Sequence, residues 1–193
     1  MRTRTAATLL GLVLLGTLAA CGDDAPAPRQ AIGSVRPTTP ASEPEFGKPG
    51  RPVDGGQGKG NGLGVTDVRL ARHNGFDRIV IDLGGKGTPG WNVRYVKRAV
   101  ADGSGERIAL KGDSILAVTV HGVGYPVDTG VEEFGDIRTR VSGSGTESIA
   151  EVAPGVVFEG SQVAYVGLEG SKRPFRVFAL TSPTRLVVDV RQP

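Results

Sequence analysis

From Leu63 onward, apolar and polar positions alternate with a period of two, the pattern of extended strands with one face buried. Val68 and Leu70 flank Arg69, and Ile79, Ile81 and Leu83 share a face with Val80 and Asp82 on the other. Trp91, Val93 and Tyr95 alternate with Asn92 and Arg94, and Leu116, Val118 and Val120 with Ala117 and Thr119. Toward the C-terminus Val163 and Tyr165 alternate with Ala164 and Val166. Phe175, Val177 and Ala179 alternate with Arg176, Phe178 and Leu180, and Leu186, Val188 and Val190 with Val187 and Asp189. Clusters of Gly, Pro, Asn and Asp punctuate these runs, and no stretch sustains a helical period. The pattern predicts an all-β domain over residues 63–193, an antiparallel β-sandwich or barrel, of which the sandwich is the reading adopted. Residues 123–148 hold few strong strand runs and predict a long irregular insertion.

Two of the alternating stretches resemble each other. VRLARHNGFDRIVIDL (residues 68–83) aligns without a gap on FRVFALTSPTRLVVDV (residues 175–190). Arg69 matches Arg176, Arg78 matches Arg185, Val80 matches Val187 and Asp82 matches Asp189. Each copy reads as strand, turn, strand, with the bend near residues 73–77 and 180–184. Two such hairpins predict two sheets related by a pseudo-twofold axis. Within each copy Arg and Asp lie four apart, on one strand face. The pairs Arg78/Asp82 and Arg185/Asp189 read as outward charge ladders worth under about 1 kcal/mol, or as matched polar sites on two sheets.

Composition changes the picture upstream of residue 63. The chain has 30 Gly and 13 Pro in 193 residues, about twice the usual share, and the excess is concentrated in residues 22–62. Few large apolar residues occur there, so residues 21–62 predict a disordered tether, with an r.m.s. span of about 35 Å for a coil of that length. Its glycines do not match G-x-G-x-x-G and read as linker, not as a phosphate loop. Ahead of it, Arg2 and Arg4 precede the uncharged, Leu- and Ala-rich residues 6–20. That run rises only about 22 Å as a helix, short of the roughly 30 Å hydrocarbon core. Residues 1–20 therefore read as a secretory signal peptide. The net charge of +3 dissolves on division: residues 63–193 carry 16 Lys and Arg against 15 Asp and Glu. The electrostatic footprint of nucleic-acid binding is missing.

The one cysteine excludes an intrachain disulfide and ends the apolar run as Leu18-Ala19-Ala20-Cys21. This resembles the lipobox of bacterial lipoproteins. The resemblance implies cleavage before Cys21, a diacylglyceryl group on its sulfur, further acylation of the new amine, and a position on the outer face of the cell membrane. Two acyl chains give stable anchoring, at about 0.8 kcal/mol per buried CH₂.

The motifs VRL (residues 68–70), FDRIVID (76–82), PGWNVRYV (89–96), FEG (158–160), PFRVF (174–178) and PTRLVVDV (183–190) occur in order. Together they resemble the AMIN-like domain of actinobacterial lipoproteins over most of residues 63–192. The resemblance implies a β-sandwich in the cell envelope. The related AMIN domains target wall amidases and secretin-type proteins to the periplasm or peptidoglycan. No catalytic residues carry over, and no hydrolase domain follows Pro193 in this sequence.

The residues show little chemistry. His73 and His121 stand far apart with no metal-ligand spacing, so no metal or other cofactor is expected. Catalytic residues are likewise not expected. No G-x-S-x-G is present, and Glu132, Glu133, Asp136, Glu151 and Glu159 read as solvated loop carboxylates rather than a glycosidase pair. Binding fits better. Aromatic faces stack on sugar rings and Arg forks grip carboxylates. Trp91, Arg94 and Tyr125 are the candidates, although Trp91 falls on a core-facing strand position and Arg94 on the opposite face. The expected role is non-catalytic binding of peptidoglycan or associated glycan, with docking of an envelope protein partner as the alternative.

Overall fold

The computed structural model describes residues 43–193. The signal peptide, the lipobox residues Leu18, Ala19 and Ala20, Cys21 and the first half of the tether lie outside the described residues. Ten strands follow one another: β1 (Val53–Asp54), β2 (Gly58–His73), β3 (Phe76–Val96), β4 (Ser114–His121), β5 (Val141–Ser142), β6 (Ile149–Ala153), β7 (Val157–Phe158), β8 (Ser161–Leu168), β9 (Phe175–Leu180) and β10 (Arg185–Arg191). A single turn of helix, α1 (Pro126–Thr129), lies between β4 and β5. All strand pairs are antiparallel.

The sheet curls into two layers because β3 belongs to both. Its first part pairs with β2 and β10, which gives the layer β2-β3-β10-β9. Its last part, Gly90–Val96, pairs with β4 and β1, which gives the layer β3-β4-β8-β6-β5. A corner built from one strand that changes layers is a known way of closing a β-sandwich. The bend falls at Gly84-Gly85-Lys86-Gly87, where Gly85 has φ 87° and an added Cβ would stand 2.0 Å from the Gly62 carbonyl oxygen. Only glycine fits there without displacement.

The predicted alternation holds in the core. Ile79, Ile81, Leu83, Leu186, Val188 and Val190 from the first layer meet Val93, Leu116, Val118, Val120, Ala164 and Val166 from the second in one cluster. The irregular 123–148 stretch lies beside it, with Phe134 packed on the core and its N–H donating to the Val65 carbonyl. Tyr165 is buried, but on the outer side of the second layer. There it packs with Ala99, Ala101, Ile108, Ala117 and Ala153, and its hydroxyl donates to the Val100 carbonyl (2.9 Å).

Three expectations need correction. First, the two similar hairpins do not sit in two sheets. They are neighbours in one layer, with Arg78 opposite Asp189, Val80 opposite Val187 and Asp82 opposite Arg185. The pseudo-twofold axis therefore passes between β3 and β10, because the repeated strands pair with each other. Second, the charge pairs are not uniformly exposed: Asp189 lies on the outer face of its layer yet is fully buried. Third, residues 43–62 are not disordered. β1 pairs with β3, Gly58–Gly62 extend β2, and the Gly47 N–H donates to the Phe175 carbonyl (3.0 Å). Glycines that looked like flexible spacer let this arm lie flat. Gly55, for example, passes so close to the Trp91 ring that an added Cβ would be 2.0 Å from it.

Candidate functional site

The register β3-β4-β8 aligns outward side chains in rows. Asn92 faces Thr119, which faces Val163; Gly90 faces His121, which faces Ser161; Arg94 faces Ala117. The β7–β8 turn adds Phe158 and Glu159 at one end, and the arm adds Asp54 and Gln57 at the other. The result is an open groove of about 440 Å³ on the outer face of the second layer.

Its polar groups are held in place. The Asp54 carboxylate accepts from the Gly56 N–H (2.7 Å) and from Asn92 Nδ2 (3.0 Å). These bonds, the backbone one foremost, hold its pKa below the ordinary carboxylate value. Asn92 Oδ1 in turn accepts from Arg94 Nη1 (2.7 Å). Arg94 is exposed and has no carboxylate partner among the described residues. Across the groove His121 Nδ1 and Ser161 Oγ are hydrogen-bonded at 2.9 Å. Asp102 and Glu159 add two further carboxylates to the lining. One oriented guanidinium beside amide, imidazole, hydroxyl and carboxylate groups in an open groove suits a ligand rich in hydroxyl and amide groups, with one carboxylate for Arg94.

The enclosed void bounded by Ala101, Ile108 and Tyr165 holds only about 10 Å³, room for roughly one water. A larger depression of about 580 Å³ beside Tyr95 and Ser114 is flanked by Lys97, Arg107, Lys172 and Asp113, and the Asp113 carboxylate is held by the Gly170 N–H (2.7 Å). No group of three or more His, Cys, Asp or Glu able to hold a metal occurs among the described residues.

Of the three binding candidates only Arg94 lines the groove. Trp91 sits on the other face of β3, packed against the core, with Gly55 closed over its ring. Tyr125 is 45% exposed at the start of α1 and is not part of the groove. Gln57, Thr119, His121, Phe158 and Ser161 were not singled out from the sequence as binding residues; His121 was weighed only as a metal ligand. Thr119, His121 and Ser161 are polar residues at outward strand positions, whereas Gln57 precedes β2 and Phe158 is apolar; the strand order that joins them is not written in the local sequence.

The repeated charge pairs form a second polar cluster on the outer face of the first layer. Arg78 forks onto Asp189 (2.6 and 2.8 Å), and Arg176 Nε donates to the same carboxylate (2.7 Å). The bond to Asp189 raises the Arg78 pKa, against the opposing effect of burial. In the symmetry-related place Arg69 forks onto Asp82 (2.7 and 2.9 Å). Arg185 turns away from Asp82, and its Nε donates to the Pro183 carbonyl (3.3 Å).

A family model described as the AMIN-like domain matches residues 63–192. Neither curated proteins nor solved structures yield a match. No helix among the described residues is long and apolar enough to cross a membrane.

Proposed function

The chain belongs to the AMIN-like domain family, and from that membership we propose that it is a non-catalytic binding module of the cell envelope whose groove on β3, β4 and β8 takes peptidoglycan. The observation that carries this reading is Arg94, a guanidinium oriented by Asn92, in an open groove that combines the neutral hydrogen-bonding side chains of Gln57, Asn92, Thr119, His121 and Ser161 with the carboxylates of Asp54, Asp102 and Glu159. Wall glycan with its stem peptides offers the complementary groups: sugar hydroxyls, acetamido carbonyls and free carboxylates. Phe158 adds an apolar face for a sugar ring. An open groove suits a polymer that runs through it, whereas a small-molecule catalyst needs an enclosed pocket with its reactive groups converging.

In this reading Cys21 carries the lipid and holds the domain at the outer face of the membrane. Cys21→Ala should leave an uncleaved precursor or release the chain from the membrane fraction. Retention of a cleaved form in that fraction would refute the anchor.

The groove is tested by adding a soluble disaccharide–peptide fragment of peptidoglycan to the labelled protein and following amide resonances. Shifts should concentrate at Asn92, Arg94, Thr119 and His121. Their absence at millimolar ligand, or their confinement to the first layer, would overturn the assignment.

A further inference from the structure

The outer face of the first layer contains a cleft that the chain fills with a segment of its own. Arg78 on β3 and Arg176 on β9 both bond to Asp189 on β10, so two cations meet one fully buried carboxylate. The arginine side chains are only 18% and 12% exposed. The second carboxylate comes from Glu43, which accepts from Arg78 Nη2 (2.7 Å) and from Arg176 Nη2. Arg176 Nη1 also donates to the Pro44 carbonyl (3.2 Å). Three residues after Glu43, the Phe46 ring lies under the guanidinium carbons of Arg176 (4.6 Å) and Arg191 (4.5 Å). The Gly47 N–H then donates to the Phe175 carbonyl on β9 (3.0 Å), which ends this layer.

A carboxylate on paired arginines, an aromatic ring on guanidinium faces and a backbone bond to an edge strand are the means by which extended peptides are recognised. None of these contacts requires the segment to be joined to the domain. The segment also lies ahead of residues 63–192, the part that matches the family. We propose that this cleft is a recognition site for a peptide carrying Glu followed three residues later by an aromatic, and that Glu43–Phe46 is its intramolecular ligand. Covalent linkage gives the ligand an effective concentration of the order of millimolar. A free peptide therefore competes poorly until the segment is altered.

The test uses the full chain and a fluorescein-labelled peptide of residues 41–50, followed by anisotropy. The double variant Glu43→Gln, Phe46→Ala should bind the peptide at least tenfold more tightly than the wild type. Adding Arg176→Gln should abolish that binding, and a peptide with Gln and Ala at the positions of Glu43 and Phe46 should not bind. A folded double variant that binds no better than the wild type would overturn the proposal. If the double variant does not fold, hydrogen exchange at the Gly47 amide of the wild type decides. Excess peptide should accelerate it at least fivefold by displacing the segment, and an unchanged rate would overturn the proposal.

Discussion

Asp189 and Asp82 hold equivalent places in the repeat, yet burial gives them different weight. Asp189 is fully buried with an arginine on either side, so Asp189→Asn leaves two mostly buried guanidiniums with only the partly exposed Glu43 carboxylate between them. The expected loss is about 3 kcal/mol, the scale of a broken buried pair. Asp82 is 20% exposed and its partner Arg69 54% exposed, so Asp82→Asn should cost under about 1 kcal/mol. Urea unfolding of the two variants checks the contrast, and equal losses would contradict it. Asp54 makes a prediction about pH. Its pKa is lowered below the ordinary carboxylate value of 3.8, mainly by the Gly56 N–H, so its contribution is complete above that value and is lost as pH falls through the folded one. The Gly56 amide resonance should stay constant from pH 7 to about 4 and move only below; a transition centred at or above 3.8 would contradict this. Residue identities foretold little of either behaviour, because an Arg and an Asp four apart look the same in sequence whether solvent or another segment covers them.

At the scale of the element, period-two alternation located β2, β3, β4, β8, β9 and β10 but not β6 (Ile149–Ala153), just past the stretch read as an irregular insertion. Ile79, Ile81 and Leu83, and likewise Leu116, Val118 and Val120, lie inward as expected. It failed where glycine interrupts without ending a strand. Residues 84–90 read as punctuation, but β3 runs through them from Phe76 to Val96, because partners on both sides keep the ladder extended while glycine permits the bend. The same blindness hid the glycine arm of β2, whose partner lies across the hairpin on β3. Gly85→Ala tests the corner. A methyl 2.0 Å from the Gly62 oxygen, at φ 87°, should cost on the order of 2 kcal/mol, or about 4–8 °C in melting temperature. A melting temperature within 1 °C of the wild type, measured by circular dichroism, would show that the bend does not need glycine.

For the molecule as a whole, the fold class was legible because alternation and turn chemistry are local properties. The site was legible only in part. Arg94 was visible as an outward cation beside an aromatic strand, whereas Gln57, Thr119, His121 and Ser161 come together only through the order β3-β4-β8 and an arm that composition alone marks as disordered. The near-balanced charge of residues 63–193 argues for recognition by particular groups rather than by a broad field. Co-sedimentation of the protein with purified peptidoglycan sacculi tests the central claim most directly, with the wild type and Arg94→Ala run side by side at physiological salt. The wild type should pellet with the sacculi, and Arg94→Ala should lose roughly tenfold in affinity, as expected when a charge-assisted bond worth about 1.5 kcal/mol is removed. A wild type that stays in the supernatant, or a variant that pellets as well as the wild type, would contradict the account.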